Sequence, residues 1–258
     1  MEASVIMRII LAENYEIMSK KAAGFIAAQV YTKPDSVLGL ATGSTPVGVY
    51  DNLIDWHKKG YLSFKDCITV NLDEYCGLSA DHPQSYAYFM NEKLFRHIDI
   101  KSENTHIPDG LNDDADAVCA AYDRLIESLG GIDLQLLGIG NNGHIGFNEP
   151  DKYFRMDTGK VDLTLSTIKA NSRFFEREED VPRQAYTMGI RPIVQAKQVI
   201  MVVSGKQKAE IIYESLFGPV TPMVPASILQ IVQNLVVCGD ADALSIIAEK
   251  HPQSVEFV

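Results

Sequence analysis

Short apolar runs alternate with longer amphipathic segments along most of the chain. About seven runs have the length of strands, for example residues 37–41 and 132–139. The segments between them repeat apolar residues at helical spacing, as Ala22, Ile26 and Val30 do. Strands that alternate with helices form parallel sheets covered by helices on both faces. The pattern therefore predicts an α/β fold with a doubly wound, mainly parallel sheet.

The residues that follow Pro150 interrupt this alternation. Positions 151–167 have no helical period and carry mixed charges, with a brief alternation of polar and apolar residues at 161–165. We expect a small flap with one short strand here. The chain contains no internal repeat, low-complexity segment or linker. The predicted fold is therefore Rossmann-like with about seven strands, and residues 1–258 form a single domain.

Charge and composition argue against several classes of protein. The formal net charge is −11 and the basic residues are scattered, so a nucleic acid or an acidic membrane is not the expected partner. No apolar stretch has the length of a membrane span or the form of a signal peptide. The cysteines are far apart and form no C-x-x-C pair, as expected of reduced thiols in a cytoplasmic protein. They are Cys67, Cys76, Cys119 and Cys238.

The stretch 132–150 places the densest set of polar groups directly after a buried strand. Chemistry in parallel sheets takes place just beyond the carboxyl ends of strands. We therefore interpret the loop that follows the strand as a functional site. Its amide, imidazole and carboxylate groups belong to Asn141, Asn142, His144, Asn148 and Glu149.

The same loop contains an apparent dinucleotide motif. Gly138, Gly140 and Gly143 match the pattern G-x-G-x-x-G, which binds a pyrophosphate only when a helix opens at the third glycine. Here Gly146 and Pro150 follow within a few residues, and both disfavour a helix. The sequence therefore argues against a nucleotide site.

A second loop follows the strand predicted at 37–41. Thr42, Gly43, Ser44 and Thr45 precede Pro46, which we place in the first turn of a helix. Free N–H groups and hydroxyls at a helix N-terminus form a good receptor for a phosphate. Ordinary helix capping by Ser and Thr explains the same residues, and the loop alone does not decide between the two.

Two further strand ends carry ionisable residues whose role the pattern leaves open. Asp73 follows an apolar strand and is either a solvated turn residue or a catalytic base. Lys208 lies in the opening of a predicted helix, where it is either a surface lysine or reaches a ligand over the sheet edge. We interpret the aromatic residues of the helix after Pro83, Tyr86 among them, as core.

Six motifs, in this order and with this spacing, resemble those of glucosamine-6-phosphate deaminases. They are LGLATGSTP, TVNLDEYCGL, HPQSYAYFM, GIGNNGHIGFNEP, NSRFF and SGKQKA. The resemblance covers nearly the whole chain, and the joint presence of NLDEY and GHIGFNEP is specific. It implies an aldose–ketose isomerisation coupled to deamination, without metal or other cofactor. Glucosamine 6-phosphate and water would yield fructose 6-phosphate and ammonia.

The resemblance also implies a role for each candidate residue. His144 would open the sugar ring and Glu149 would orient its imidazole, while Asp73 would move a proton from C2 to C1. Some family members carry aspartate where this chain has Asn142, so the relay here would depend on Glu149. The substrate phosphate would bind the loop that contains Thr42, Gly43, Ser44 and Thr45, together with Arg173 and Lys208.

Alternatives and open questions accompany this interpretation. The 6-phosphogluconolactonases are similar in fold and in a Gly-His loop, and sugar-phosphate sensors share the fold class. The sequence leaves the oligomeric state open, with a monomer favoured.

Allosteric relatives bind an activator's phosphate through an Arg-x-Lys pair, whereas this chain offers Lys160 between Asp157 and Asp162. We therefore expect no activation by N-acetylglucosamine 6-phosphate.

Overall fold

A parallel sheet of eight strands forms the centre of the structure, a computed structural model that describes residues 6–172, 175 and 177–258. A three-stranded antiparallel sheet lies beside it. The strands are β1 (Ile6–Ala12), β2 (Val37–Leu40), β3 (Ile68–Asn71), β4 (Asp73–Tyr75), β5 (Thr105–His106), β6 (Leu134–Leu137), β7 (Gly159–Asp162), β8 (Gln184–Thr187), β9 (Gln198–Val203), β10 (Asn234–Asp240) and β11 (Val255–Phe257).

Helices connect most of these strands and cover both faces of the large sheet. In the described ranges they are α1 (Tyr15–Thr32), α2 (Val47–Lys58), α3 (Tyr86–Lys93), α4 (Ala115–Ser128), α5 (Leu165–Asn171), α6 (Ile190–Gln195), α7 (Ala209–Phe217) and α8 (Ser245–Lys250). The first helix illustrates how the sequence specifies them. The side chain of Asn14 caps α1 by accepting the N–H of Ile17 at 3.0 Å, and Ala22, Ile26 and Val30 form its buried face.

The order of strands in the large sheet is β11-β1-β10-β9-β6-β2-β3-β5, and the pairs within it are parallel. This confirms the doubly wound α/β fold with a small flap. The sheet has eight strands rather than about seven, because β5 and β11 contain only two and three residues and leave no apolar run in the sequence.

The small sheet has the order β4-β8-β7 and includes the flap strand. One predicted boundary changes here. The flap strand is β7, which ends before the predicted 161–165 segment does, and it pairs with β8 of the same small sheet. The chain turns at Thr164, whose side chain caps α5 through the N–H of Thr167.

The two faces of the large sheet bury separate sets of apolar side chains. In β2, Val37 belongs to one core, while Leu38 and Leu40 belong to the other with the buried residues of α1 and α2. Covering both faces explains why the strands appear in the sequence as continuous apolar runs. All four cysteines are free thiols, and no helix in the described ranges is long and apolar enough to cross a membrane.

Candidate active site

The carboxyl ends of β2, β3, β6 and β9 lie along one edge of the large sheet. The loops that follow these strands contain the residues singled out in the sequence. Of these, Arg173 lies outside the described residues.

The loop after β2 is an open turn in front of α2. Gly43 adopts φ +102°, a left-handed conformation that favours glycine, and Ser44 is exposed. Pro46 is the residue that caps α2 rather than part of its first turn, and no side chain caps this helix. Capping by a hydroxyl therefore does not explain Thr42, Ser44 and Thr45. Within the described ranges, no acceptor binds the backbone N–H groups of Gly43, Ser44 and Thr45.

Tyr86 of α3 connects this loop to the other strand ends. The side chain of Thr42 acts on the Tyr86 hydroxyl and lowers its pKa, and the Tyr86 ring stacks on Phe147 with ring centroids 5.9 Å apart. Phe147 belongs to the loop after β6, residues 138–150, which we call the central loop. Burial, followed by the neighbouring Tyr75 and Asp73, raises the pKa of Tyr86 well above its ordinary value. Interpreting Tyr86 as core alone was incomplete. The hydroxyl of a tyrosine that packs against the core usually finds a polar partner, and this is the signal that could have identified Tyr86.

Asp73 is the first residue of β4 and is only 5% exposed. Burial, and after it the charge of Glu74, raises the pKa of Asp73 to about 8. Its carboxyl group faces the central loop at Gly146, where an added methyl group would lie 3.4 Å from Asp73 Oδ2 and 3.0 Å from Thr187 Oγ1. Gly146 also has φ +58°, so this close approach requires glycine.

Glu74, the next residue, has a different environment and a different role. Its carboxylate accepts backbone N–H groups from Tyr75 at 2.8 Å, Tyr86 at 2.9 Å and Ala87 at 2.8 Å. Burial raises the pKa of Glu74, and these three hydrogen bonds oppose that effect. Glu74 therefore fixes the N-terminus of α3, which carries Tyr86, and places a carboxylate beside Asp73.

The central loop folds back on itself after β6 and forms no helix, which excludes the dinucleotide interpretation. The N–H of Gly140 donates to the carbonyl of His144 at 2.9 Å. The imidazole lies against Gly140 so closely that a Cβ at this position would be 2.3 Å from ring atoms Cε1 and Nε2. Gly140 is therefore needed because the imidazole of His144 occupies the space of a side chain, and not because a phosphate approaches the backbone.

Asn142, His144 and Glu149 form a connected group. The amide of Asn142 donates to Oε2 of Glu149 at 2.6 Å, and Nδ1 of His144 lies 3.3 Å from Oε1 of Glu149. This contact between the ring and the carboxylate does not meet hydrogen-bond geometry. The hydroxyl of Thr167 also donates to Glu149, a contact that sequence reasoning missed.

The surroundings of Glu149 keep it ionised. Burial raises its pKa, but the adjacent His144 and the donors Thr167 and Asn142 outweigh burial and lower the pKa to about 2. Glu149 therefore carries a full negative charge at neutral pH.

Lys208 reaches the central loop from the end of β9. Its Nζ donates to the carbonyl of Ile139 at 2.7 Å. It lies in a short 3-10 turn, Lys206–Lys208, immediately before α7 and not one turn inside that helix. Asp240 at the end of β10 holds this turn by accepting the hydroxyl of Ser204 and the N–H of Gly205.

Three of the predicted strand ends thus meet at the central loop. Asp73 approaches it at Gly146, Lys208 binds it at Ile139, and Thr42 is joined to it through Tyr86. Within the described residues, no group of three or more His, Cys, Asp or Glu side chains has the arrangement of a metal site.

The chain is similar to known proteins over most of its length. Residues 13–238 match the family model described as glucosamine-6-phosphate isomerases/6-phosphogluconolactonase. A glucosamine-6-phosphate deaminase from Lachnoclostridium phytofermentans is 59% identical over 231 residues, which cover 90% of this chain and 98% of that protein. One from a Thermoanaerobacter species is 50% identical over 252 residues, which cover 98% and 100%.

Solved structures show the same relationship. A monomeric glucosamine-6-phosphate deaminase superimposes with a TM-score of 0.91 at 46% identity, covering 93% of this chain and 100% of that one. A 6-phosphogluconolactonase from Leishmania guyanensis reaches 0.74 at 22% identity, covering 95% and 99%, and this likeness is one of fold alone. The chain belongs to the family of glucosamine-6-phosphate isomerases and 6-phosphogluconolactonases.

Proposed function

We propose that this protein is a glucosamine-6-phosphate deaminase, which converts glucosamine 6-phosphate and water into fructose 6-phosphate and ammonia. The observation that carries the proposal is the approach of a buried carboxyl group, Asp73, to the loop that holds the His144–Glu149 pair. The reaction needs one group that exchanges protons with the ring oxygen and a second that moves a proton between carbons. The names of relatives that are 50% to 59% identical support the same reaction.

The substrate phosphate binds the loop after β2. The N–H groups of Gly43, Ser44 and Thr45 supply donors, and the hydroxyl of Thr42 lies in the same loop. Lys208 contributes a positive charge and Arg173 a two-bond clamp. Local cations of this kind reconcile a phosphorylated substrate with a chain of net charge −11. Anchoring the phosphate also fixes C1 and C2 relative to Asp73.

Ring opening is the task of His144. The imidazole takes the proton of the anomeric hydroxyl and returns one to the ring oxygen, which yields the open-chain aldehyde. During this exchange the imidazole ring of His144 becomes positively charged. Glu149, which stays ionised because its pKa is about 2, stabilises that charge. Asn142 keeps Glu149 in place through its amide and carries no proton itself.

Isomerisation is the task of Asp73. Its carboxylate removes the proton from C2 while the ammonium group at C2 gives up a proton to the carbonyl oxygen at C1, which yields an enolamine, and the carboxylic acid then returns the first proton to C1. The product is the imine of fructose 6-phosphate, and water hydrolyses it to the ketone with release of ammonia. A pKa of about 8 suits this role, because both the basic and the acidic form are accessible near neutral pH.

The same proposal extends to the state of the protein. We infer that residues 1–258 function as one domain and as a monomer. A relative described as monomeric, 46% identical and alike over 93% of this chain, supports this inference. We also infer a cytoplasmic location, which the four free thiols support.

The direct test is an assay of the purified protein with glucosamine 6-phosphate. We expect fructose 6-phosphate and ammonia to appear in equal amounts, each measured by its own coupled enzyme. Glucosamine without the phosphate serves as the control for the anchoring step and should react far more slowly. The family also contains lactonases, so 6-phosphogluconolactone is assayed in parallel. Hydrolysis of the lactone without release of ammonia from glucosamine 6-phosphate would show that the protein is a lactonase and not a deaminase.

A further inference from the structure

The phenol of Tyr15, at the start of α1, lies directly behind the loop that follows β2. Its hydroxyl donates to the carbonyl of Thr45 at 3.0 Å and lies 3.2 Å from the carbonyl oxygen of Ser44. The same oxygen accepts the N–H of Gly48, in the first turn of α2, at 2.8 Å. One side chain therefore binds both the loop and the helix that the loop leads into.

The packing of the two helices allows this contact. At Gly48 an added Cβ would lie 2.5 Å from Oγ of Ser19 and 2.9 Å from the hydroxyl of Tyr15. Only glycine permits α1 to approach the N-terminus of α2 so closely. Tyr15 and Gly48, which are 33 residues apart in the sequence, thus form a single feature.

The contact changes the hydrogen bonding of the loop. Gly48 is the second residue of α2, so its N–H has no acceptor within the helix. Tyr15 supplies that acceptor, and its own proton engages the carbonyls of Ser44 and Thr45. The residues before Val47 form a turn in which the N–H of Val47 donates to the carbonyl of Ser44 at 3.4 Å. This turn is the one whose N–H groups at Gly43, Ser44 and Thr45 bind no acceptor among the described residues.

We propose that Tyr15 is a positioning residue for the substrate phosphate. The inference rests on the proposed function and adds a residue that acts through the loop and not on the reacting atoms. Loss of its hydroxyl would release the turn and weaken phosphate binding in the ground state and the transition state alike. The expected signature is therefore a rise in KM with little change in kcat.

The test compares two tyrosine variants of the same helix. Tyr15→Phe removes the hydroxyl under the loop, and Tyr31→Phe removes one that donates to the carbonyl of Tyr61, far along α1. For Tyr15→Phe we expect KM for glucosamine 6-phosphate to rise roughly threefold to tenfold, the value of one hydrogen bond. Its kcat should remain within about twofold of wild type. Tyr31→Phe should leave both constants unchanged.

A second measurement addresses the phosphate subsite without turnover. Inorganic phosphate should inhibit the wild type competitively, and Tyr15→Phe should raise its inhibition constant by the same factor as KM. Phosphate should also raise the Tm of the wild type and of Tyr31→Phe more than that of Tyr15→Phe. If Tyr15→Phe folds poorly, Gly48→Ala is the substitute, because its methyl group displaces the phenol and should raise KM in the same way.

The outcomes separate this inference from the proposed function. A wild-type protein that releases no ammonia overturns the function, while the effect of phosphate on Tm still reports on Tyr15. An active wild type with an unchanged KM and an unchanged phosphate inhibition constant in Tyr15→Phe overturns the inference alone. A fall in kcat at constant KM would also contradict it, because a residue behind the loop would then be acting on the chemical step.

Discussion

At the scale of single residues, two adjacent carboxylates differ because their hydrogen bonds differ. Glu74 accepts three backbone N–H groups, whereas no described residue donates a hydrogen bond to the carboxyl group of Asp73. Burial therefore acts on Asp73 without compensation, and the negative charge of Glu74 adds to it. One carboxylate holds a helix in place, and the other is left with a pKa of about 8.

This difference predicts that Asp73→Asn stabilises the fold in a manner that depends on pH. The folded protein holds the proton of Asp73 up to about pH 8, while the unfolded chain releases it near the ordinary value of 3.8. The contribution of Asp73 to stability is thus fully present below about pH 4 and is lost as the pH rises to about 8. Asparagine has no such loss.

Urea unfolding of both proteins at pH 5 and pH 8 tests this expectation. The advantage of the variant should be small at pH 5 and reach roughly 3 to 5 kcal/mol at pH 8, at about 1.4 kcal/mol per pKa unit. Titrating groups that do not interact with Asp73 cancel in the comparison of the two proteins. An advantage that is equal at both pH values would show that Asp73 is not held in its protonated form.

The residue scale also shows what sequence patterns can and cannot predict about the site. Asp73, His144 and Glu149 were candidates because they follow apolar strands, but the family resemblance and not the local pattern implied their roles. The contacts that hold the site were not, because their partners are distant in the chain. Tyr86 donates to Glu74 across 12 positions and Ser204 to Asp240 across 36. Such pairs depend on the tertiary fold, and no local period records them.

At the scale of elements, glycines determine how the central loop passes the strand ends. Gly140 admits the imidazole of His144, and Gly146 admits the carboxyl group of Asp73. Neither role resembles the phosphate contact that the spacing G-x-G-x-x-G suggests in isolation. The absence of a helix after Gly143 was predictable from Gly146 and Pro150, and the structure confirms it.

Two glycine-to-alanine substitutions separate these roles. Gly140→Ala places a methyl group 2.3 Å from the ring of His144, so the imidazole must move and activity should fall about a hundredfold. Gly24→Ala, in the middle of α1 with nothing within 4 Å, should instead stabilise the fold by about 0.5 to 1 kcal/mol with full activity. Steady-state kinetics and thermal unfolding of both variants measure this. Full activity in Gly140→Ala would contradict the packing described for His144.

The opposite end of the sheet contains a structural ion cluster. Asp133, buried just before β6, accepts Nζ of Lys197 at 2.6 Å, Nζ of Lys33 at 2.8 Å and the N–H of Val37 at 2.8 Å. Burial raises the pKa of Asp133, but these partners outweigh burial and lower the pKa below its ordinary value of 3.8. The cluster joins the starts of β2, β6 and β9, far from the site.

Asp133→Asn should therefore destabilise the protein without changing KM. We expect a loss of about 1 to 3 kcal/mol at pH 7, kept modest because both lysines are partly exposed. The stability contributed by the carboxylate is present above pH 3.8 and is lost as the pH falls through its lowered pKa. Unfolding measured at pH 7 and again below pH 4 should show the difference between the proteins shrinking. A difference that grows in acid would contradict the lowered pKa of Asp133.

Strand number and membership are the features of the fold that the sequence predicted least well. Apolar runs identify strands buried on both faces, such as β6 and β9. They do not identify β5 and β11, which are edge strands of two and three residues in which only Val255 is buried. Nor do they assign β8 to the antiparallel sheet, because pairing direction leaves no local pattern in the sequence.

At the scale of the whole molecule, a cavity of about 310 Å³ is lined in part by the end of the central loop, residues 147–150. Its lining contains Lys160, the cation found in the sequence between Asp157 and Asp162, and also a second cation, Arg155. The lining also contains Glu149, Asp151 and Asp162. Three carboxylates against two cations make this a poor environment for a phosphate.

We therefore expect no activation by N-acetylglucosamine 6-phosphate. An effector shifts a population only if it binds one state better than another, and this cavity offers a phosphate no net attraction. The velocity should depend hyperbolically on glucosamine 6-phosphate concentration, with and without the acetylated sugar phosphate. A sigmoidal curve that the acetylated compound makes hyperbolic would prove this expectation wrong.

The central claim is that the protein deaminates glucosamine 6-phosphate with Asp73 as the base, and one kinetic comparison tests it most directly. Fructose 6-phosphate and ammonia are followed together for the wild type and for Asp73→Asn. The wild type should release them in equal amounts. In the variant kcat should fall at least about a hundredfold, while the inhibition constant for phosphate stays within a few-fold. Retention of more than about a tenth of the wild-type kcat would contradict the account.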